Sequence, residues 1–455
     1  MDIFFGVLVG ILVLTLVVTI HEFGHFIIAK KNGVRVNEFG IGFPPKAKTW
    51  LHIPAKEAKN YCKKFKFDDV KTEKILKKSE KKLASKKGKD SWLWIPLPRD
   101  EWFEEVDNEV VPKTQKYLIF SLNLLPIGGF CQMDGESNTD TKKGTFGAAS
   151  FWSKTKILFA GVAMNWLLAF VIFTVLAWVG MPEMFSNQYR VKDDSIAVGE
   201  AIITVKNVVD DSPAKAGNFE VGDIILEATE TENGKNIKVV SATALTDFNN
   251  ENAGKEVEYK IKRKTGEEET ELTLKTTLNS LDSNYRLGIS MGQTGQVLYR
   301  STWSAPIVGA VTTVQLTGET YRGIGTLFGN IFSGIAKQFS PDESVRAEGK
   351  DSIKSAGDSV SGPVGIIGVL FPAITQTGLI NVLFLMAIIS ISLACMNVLP
   401  IPALDGGRWL LIAIFKALHR PLDPETENKI VSRAFTILLI LAAIITVLDV
   451  IKIVR

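Results

Sequence analysis

The stretch that decides the fold of this chain spans residues 3–25 and reads IFFGVLVGILVLTLVVTIHEFGH. Its first part, residues 3–20, is an apolar run of the length that an α-helix needs to cross a bilayer. The H-E-x-x-H motif that follows places the imidazoles of His21 and His25 on one helix face, where both can ligate one Zn²⁺ ion. Glu22 is then positioned to accept a proton from the attacking water. Because ionisable side chains at membrane depth are costly and therefore usually functional, the stretch predicts hydrolysis inside a bilayer.

The distribution of apolar residues along the chain predicts a membrane protein built mainly of α-helices. Four stretches of the 455-residue chain reach membrane-span length, at about 3–29, 157–180, 379–398 and 435–451. The first lacks the basic region and cleavage site of a signal peptide, so we expect a retained helix. We assign four transmembrane helices to residues 1–30, 157–180, 371–407 and 434–455. Residues 301–370 carry aromatics at helical spacing and are predicted to be interfacial helices on the outer leaflet, with buried helices packed on the spans as the alternative.

Charge is segregated along the chain, although the formal net charge is only +3. Residues 46–116 are rich in lysine, whereas residues 190–292 carry a modest acidic excess. Because basic loops remain in the cytoplasm, we expect residues 31–156 and the connection 408–433 to be cytoplasmic and residues 181–370 to be external. None of the three cysteines lies in that external region, so no disulfide framework is expected there. The pattern indicates a multi-pass protein of the inner (cell) membrane that contacts the lipid bilayer and no nucleic acid.

Two segments with strand-like alternation, 33–45 and 117–133, flank a Lys-rich insert at about 50–112. Since irregular backbone at membrane depth must be buried or line a cavity, we interpret them as a re-entrant β-hairpin or sheet beside the metal, with an ordinary interfacial loop as the alternative. An edge strand near Gly40 and Gly42 could then receive an opened substrate segment by β-addition. The insert could lie on anionic inner-leaflet lipid, but a solvated charged appendage is the favoured interpretation.

Residues 199–292 are predicted to form one small β-rich domain outside the membrane. The segment SPAKAGNFEVGDII, at 212–225, resembles the bacterial PDZ signature. Further on, Leu287, Gly288 and Ile289 resemble the loop whose backbone N–H groups capture a C-terminal carboxylate. A PDZ-like spacer or steric shield is the alternative, because a fold alone does not establish ligand capture.

A third metal ligand is expected, because catalytic zinc usually has three protein ligands. The best candidate is Asp405 in the segment NVLPIPALDGG, at 397–407. There Pro400 and Pro402 must break the helix and expose backbone. By the orientation argument, Asp405 and the two histidines lie at matching depth, toward the cytoplasmic ends of their helices. A simple turn aspartate is the alternative for Asp405, and Asn397 either bonds an exposed substrate backbone or caps its helix.

These motifs occur in the order of the site-two protease family: the HEFGH helix, a G-x-G-x-P segment, PIGGF, one PDZ-like domain, Ser361-Gly362-Pro363 and an N-x-x-P-x-P-x-L-D-G run. Outside the insert, the chain resembles the bacterial RseP-like intramembrane zinc metalloproteases over almost its whole length. The resemblance implies that His21, His25 and Asp405 ligate one Zn²⁺ ion and that Glu22 is the catalytic acid and base. It also implies substrates that are single-pass membrane proteins, such as anti-sigma factors, already trimmed outside by an upstream site-one-type protease.

The chain departs from the family pattern in four places. It has one PDZ-like domain where some relatives have two, and the insert interrupts the predicted hairpin. Arg408 stands where relatives often have histidine, and Gly161 in the second span lacks the following proline that would kink the helix.

The sequence as a whole predicts an intramembrane zinc metalloprotease acting in regulated intramembrane proteolysis. Two other classes remain open: a zinc protease that faces the cytosol and cuts soluble chains, and a catalytically silent PDZ scaffold. Apolar flanks on both metal motifs argue against the first, and the intact Glu22 argues against the second.

Overall fold

The computed structural model describes residues 2–84, 91–97, 103–106, 109–112, 117–135, 142–183, 185, 187–199, 201–265, 268–283, 285–295, 297–358 and 362–454. Parts of the predicted insert and Ser361 of the Ser361-Gly362-Pro363 run lie outside the described residues. The chain divides into two compact units, one formed by Met1–Phe170 and Thr313–Arg455 and the other by Val171–Thr312.

Helices and strands alternate irregularly along the chain. The helices are α1 (Asp2–Lys31), α2 (Ala58–Lys64), α3 (Asp69–Leu83), α4 (Phe151–Val179), α5 (Pro213–Ala216), α6 (Ala242–Glu251), α7 (Ala305–Gln338), α8 (Glu343–Asp358), α9 (Pro363–Gly365), α10 (Phe371–Thr375), α11 (Leu379–Val398), α12 (Asp405–Ala417) and α13 (Pro424–Val454). The strands are β1 (Val36–Pro54), β2 (Trp92–Pro96), β3 (Phe103–Val106), β4 (Glu109–Pro112), β5 (Ile119–Met133), β6 (Met181–Pro182), β7 (Ile196–Val198), β8 (Ile202–Val208), β9 (Ile224–Glu230), β10 (Asn236–Lys238), β11 (Glu256–Thr265), β12 (Glu268–Thr277), β13 (Ile289–Thr294) and β14 (Leu298–Arg300).

Four helices in the described part of the chain, α1, α4, α11 and α13, are long and apolar enough to cross a membrane. Their number confirms the prediction from the sequence. The helix α4 continues through Gly161 without interruption, which agrees with the absence of a proline after that glycine.

The predicted third helix, 371–407, is wrong in its bounds. It is divided into α10, α11 and the start of α12, because Gly378 adopts a φ of +106° before α11 and Pro400 and Pro402 lack the N–H groups that would continue it. The predicted connection 408–433 likewise contains most of α12 and the start of α13. Asp405 therefore occupies the first position of a new helix.

A short helical segment, 363–375, packs on α1 rather than lying apart from it. Phe371 is fully buried, and the absence of side chains at Gly6 and Gly10 lets Phe371 and Pro372 contact the α1 backbone closely. Asp449 of α13 holds the start of this segment, since its carboxylate accepts hydrogen bonds from the backbone N–H groups of residues 362 and 365, at 3.2 and 2.7 Å. Residues 363–370 therefore pack on the spans, which is the alternative to interfacial helices that the sequence left open for residues 301–370.

The first unit contains a sheet of order β2-β1-β5, in which the two segments 33–45 and 117–133 pair with each other. The strands β1 and β5 bend, so each pairs with the other more than once. Residues 38–41 of β1 have partners on both sides, residues 119–122 and 129–132. Gly40 is consequently not on a free edge, and the predicted edge strand at Gly40 and Gly42 is wrong in position. Among the described residues, the two edges of this sheet are formed by β2 and by the carboxyl-terminal half of β5.

The insert continues this sheet. The strand β1 runs on to Pro54, β2 pairs with its end from Trp50↔Pro96 to Pro54↔Trp92, and α2 and α3 cover the result. A buried core lies between them, formed by Leu51, Ile53, Ala55, Ala58, Cys62, Phe65, Ile75, Leu93, Ile95, Leu97 and Ile119. The lysines of α3 remain largely exposed, but residues 50–83 and 91–97 of the insert are packed around this core rather than forming a solvated appendage.

The second unit contains a sheet of order β12-β11-β9-β8-β13, with β10 paired to β9. Its core alternates along the strands, as in Ile203 and Val205 of β8 or Val257, Tyr259 and Ile261 of β11, all essentially inaccessible to solvent. The β-rich domain predicted at 199–292 is thus present as a sheet, but its carboxyl-terminal boundary falls inside β13.

Candidate metal centre

His21 and His25 lie one turn apart on α1 and are 5% and 6% exposed. Asp405, from the other end of the chain, reaches both imidazoles. Its Oδ2 atom lies 3.1 Å from Nε2 of His21 and 3.3 Å from Nε2 of His25. The structure thus brings together the three side chains that the two separate motifs supply.

These separations fit a tetrahedral zinc site. Zinc–ligand bonds of about 2.0–2.1 Å at tetrahedral angles put neighbouring ligand atoms roughly 3.3–3.4 Å apart. Donor atoms of His21, Glu22 and His25 also lie within 4.8 Å of one another, so Glu22 is a second candidate ligand. Asp405 is the better one, because its oxygen is at ligand–ligand distance from both imidazole nitrogens and Glu22 remains available for proton transfer.

The backbone of α4 leaves room at the two nitrogens. A Cβ atom placed on Gly161 would lie 2.5 Å from Nε2 of His21 and 2.6 Å from Nε2 of His25. Gly24 of α1 has a similar role, because a side chain there would overlap the carbonyl of Ala160. Both glycines therefore permit the close contact of α1 and α4, and any side chain at Gly161 would occupy space next to the metal-binding atoms. The donor set and this space fit a zinc ion.

The other ring nitrogens are held by α4. Nδ1 of His25 lies 2.7 Å from the carbonyl oxygen of Ile157, which fixes the tautomer that leaves Nε2 free to bind a metal. Nδ1 of His21 lies 3.3 Å from Nδ2 of Asn165, and Oδ1 of the fully buried Asn165 has no hydrogen-bond partner within the described structure. Rotating this amide by 180° about its last bond satisfies both groups, with His21 donating to Oδ1.

Asn165 is itself held in place, since Ser390 of α11 donates to its backbone carbonyl at 2.8 Å. Sequence reasoning missed both residues, and also the backbone contact of Gly161. Neither Asn165 nor Ser390 belongs to a metal-ligand motif, and the only signal was a pair of polar residues inside apolar spans.

Glu22 faces β5. Its carboxylate accepts a hydrogen bond from the backbone N–H of Cys131, in the half of β5 whose outer edge is unpaired. Gly129 lies directly against Thr19 of α1, so this edge runs beside the H-E-x-x-H turn. Among the described residues, the structure therefore places a strand edge that has no partner strand next to the candidate base.

The predicted substrate-binding residues are distributed differently. Pro402 lines a polar cavity of about 280 Å³ together with Asp405, Arg408 and Glu427, where the last two form an ion pair of 3.5 Å. Pro400 is exposed. The amide of Asn397 donates to the carbonyl of Leu393, 3.0 Å away on its own helix, which favours the structural alternative for this residue.

In the second unit, Leu287, Gly288 and Ile289 line a cavity of about 210 Å³ between α6 and β13. Gly288 has a φ of +82°, a conformation that favours glycine, and its carbonyl accepts a hydrogen bond from the N–H of Val209. Since β13 is the last strand of its sheet, one of its edges borders this cavity.

Comparisons with known proteins place this site in context. The profile of peptidase family M50 matches residues 9–55 and 108–442, which omits most of the insert. A putative zinc metalloprotease of Clostridium acetobutylicum is 27% identical over 448 residues and 98% of each chain. The zinc metalloprotease RasP of Oceanobacillus iheyensis is 26% identical, over 96% of each chain, and RasP of Shouchella clausii is 25% identical, over 97% of this chain and 98% of the relative.

Proposed function

Because this chain belongs to peptidase family M50, the site-two proteases, and is a zinc metalloprotease, we propose that it hydrolyses peptide bonds within the membrane-spanning segments of other proteins. One observation carries the proposal. The donor atoms of His21, His25 and Asp405 converge at zinc-ligand spacing, and the two histidines lie on a helix apolar enough to cross a membrane. A hydrolytic centre on such a helix is of use for substrates that are themselves in the bilayer.

Zinc, when bound by His21, His25 and Asp405, supplies Lewis acidity that makes water a nucleophile near neutral pH and stabilises negative charge on the carbonyl oxygen. Glu22 accepts the proton of the attacking water and returns it to the leaving amine. The N–H of Cys131 orients the Glu22 carboxylate toward the site. Asn165 and the carbonyl of Ile157 hold the imidazoles in the orientation that ligation requires.

A helical substrate hides its scissile carbonyl in i→i−4 hydrogen bonds, so it must unwind before it can react. We assign the receiving edge to the outer side of β5, residues 129–133. A strand added there pairs with backbone groups beside Cys131 and brings its own carbonyl groups alongside Glu22. Gly40, which the sequence favoured for this role, supports that edge from the inner side of the sheet. Water reaches the centre through the polar cavity that contains Asp405 and Arg408.

The β-rich domain of the second unit acts, in this proposal, as a PDZ-like filter outside the membrane. Its steric bulk excludes substrates whose outer domains are still large, so that single-pass proteins such as anti-sigma factors are cut only after an upstream site-one-type protease has trimmed them. Capture of the new C-terminus in the cavity beside Gly288 is the alternative. Deleting residues 199–294 distinguishes the two: untrimmed substrates are then cleaved under exclusion, whereas trimmed substrates are cleaved more slowly under capture.

The proposed orientation is testable by cysteine labelling in intact cells. A thiol introduced at Glu232 should react with an impermeant maleimide from outside, and one at Lys82 should not. The opposite pattern would place the active centre toward the external face and remove the filter role.

The activity itself is tested in proteoliposomes with a reporter transmembrane helix. Wild-type protein should cleave the reporter. Glu22→Gln should reduce the rate by about 10²–10⁴-fold while zinc remains bound, because the change removes the proton acceptor and no ligand. Detergent-free unfolded casein is the control substrate. Cleavage of casein at a rate equal to that of the reporter would favour a protease facing the cytosol, and retained turnover by Glu22→Gln would contradict the assigned role.

A further inference from the structure

A second cavity, separate from the metal centre, lies where α1 ends. It has a volume of about 670 Å³, and three cationic side chains contribute to its wall: Lys30, Arg35 and Lys143. Three aromatic rings complete it, those of His52, Trp92 and Tyr117. The mechanism uses none of these residues.

Backbone hydrogen bonds position the segments that carry these cationic side chains. The N–H of Val34 donates to the carbonyl of Ala29, which turns the chain at the end of α1, and the N–H of Arg35 donates to the carbonyl of Gly144 at 2.8 Å. The second bond brings Lys143 and Arg35 together from distant parts of the chain. Gly144 has a φ of +96° and lies against the guanidinium of Arg35. Folding therefore brings the segments that carry Lys30, Arg35 and Lys143 to one cavity.

Charge in this cavity is strongly one-sided. Arg35 pairs with Asp134 at 3.0 Å, but no carboxylate within the described residues pairs with Lys30 or Lys143. Burial, together with the ammonium groups of Lys30 and Lys82, lowers the pKa of His52, which favours the uncharged form of this imidazole. It stacks on Trp92, with ring centroids 5.0 Å apart. A phosphate group is the chemical partner of such a set, because guanidinium and ammonium donors bind its oxygens.

The position of the cavity identifies the source of that phosphate. Lys30 is in the last turn of α1, a candidate membrane span, and therefore lies near the depth of the lipid headgroups. Trp92 and Trp94 are 39% and 46% exposed, as expected of aromatic residues at a membrane interface. We propose that this cavity binds the headgroup of an anionic phospholipid and so anchors the insert and the end of α1 to the leaflet surface.

The test uses full-length protein in mixed micelles, with phosphatidylglycerol as the anionic lipid and phosphatidylcholine as the neutral one, and counts retained lipid by native mass spectrometry. Wild-type protein should retain phosphatidylglycerol saturably and in preference to phosphatidylcholine. The double variant Lys30→Gln with Lys143→Gln should lose about 30-fold in affinity for phosphatidylglycerol, as expected when two cations are removed near an anionic surface. Arginine at both positions should preserve binding.

The matched control is Lys59→Gln with Lys78→Gln, which removes the same charge from exposed positions outside the cavity. It should change the affinity less than threefold. Equal losses in the two double variants would show diffuse attraction and overturn the proposal, as would unchanged binding in the cavity variant. Glycerol phosphate is the soluble competitor, and displacement of the lipid by it at equal concentration would assign the cavity to a free phosphate instead.

Discussion

The two main sheets of this protein differ in which side chains they bury and which they expose. One part of the first unit's sheet, residues 38–46 and 121–127, is here called the hairpin tip. It buries four polar residues and exposes several of its apolar ones. Glu38, Lys46, Ser121 and Asn123 are between 0% and 7% exposed, whereas Leu124, Leu125 and Ile127 are between 50% and 62% exposed. The six-stranded sheet of the second unit has an apolar core and exposed Lys–Glu pairs.

An inverted surface is expected for a structure whose outer solvent is lipid. Bilayer interiors tolerate bent backbone only where its polar groups are satisfied within the protein. At the hairpin tip, the amide of Asn123 donates to the carbonyls of Ile41 and Gly42, and Thr15 of α1 donates to the carbonyl of Pro126. The difference between the sheets therefore supports a re-entrant hairpin beside α1 and a water-exposed β-rich domain.

The largest difference in stability should come from one lysine in each sheet. Lys46 pairs with Glu38 at 2.7 Å, and both side chains are 4% exposed. Lys46→Met leaves Glu38 buried without a counter-charge and should cost about 3–5 kcal/mol. Lys260→Met, which removes the exposed partner of Glu271, should cost less than about 1 kcal/mol. Chemical denaturation of the full-length protein measures both, and equal costs would show that the hairpin tip is solvated.

A charge on the outer face tests the surroundings of each sheet directly. Leu125→Lys should destabilise the protein in lipid vesicles by about 2.5–3.5 kcal/mol if the hairpin tip is in hydrocarbon. Val221 in the second unit is 66% exposed, so Val221→Lys should change stability by less than about 0.5 kcal/mol. A neutral effect of Leu125→Lys in vesicles would place the hairpin tip in water.

Substitution of two buried asparagines, one beside the metal centre and one in the core of the second unit, distinguishes an effect on zinc binding from an effect on stability. Asn165→Ala removes the group that orients His21 and should weaken zinc affinity about 10–100-fold, with a parallel loss of activity. Asn249→Ala removes the partner of the Tyr259 hydroxyl, 2.7 Å away, and should lower the melting temperature without changing zinc affinity. Zinc titration against a competing chelator measures the two affinities. Equal affinities in the two variants would reduce Asn165 to a packing residue.

The smallest effect concerns pH and is confined to the second unit. Burial alone would raise the pKa of Asp194, but hydrogen bonds from Ser304 and Thr302 lower it to about 2. A lowered pKa contributes stability that is complete above the ordinary value, about 3.9, and is lost as pH falls toward 2. Asp194→Asn should therefore lower the melting temperature at pH 7, and the difference from wild type should shrink between pH 4 and pH 2. A difference independent of pH would contradict this.

The sequence predicted the parts of the molecule whose signals are local. A long apolar run, an H-E-x-x-H spacing and an alternating strand pattern can each be recognised within a short stretch of sequence. The four candidate spans and the pairing of 33–45 with 117–133 were predictable for this reason. The strand order was not predictable from the sequence, because β1 and β5 each pair with the other more than once. Only the folded chain shows that Gly40 has a partner strand on both sides.

The site was predictable only in its ligand motifs. His21, His25 and Asp405 belong to recognisable patterns, and the structure brings them together. Asn165, Ser390 and Gly161 act through contacts between α1, α4 and α11, and such contacts have no periodic signal in the sequence. The packing of the insert was missed for a related reason: its lysines dominate the composition, whereas its core depends on residues as distant as Leu51 and Ile95.

The central claim is that His21, His25 and Asp405 form one zinc site and that Glu22 acts beside it without binding the metal. The most direct test is the zinc content of purified full-length protein, measured together with cleavage of the reporter helix. Wild type and Glu22→Gln should each contain one zinc ion per chain, and only wild type should cleave. His21→Ala and Asp405→Ala should lose both metal and activity. Full zinc occupancy in Asp405→Ala, or loss of zinc in Glu22→Gln, would contradict this assignment of the ligands.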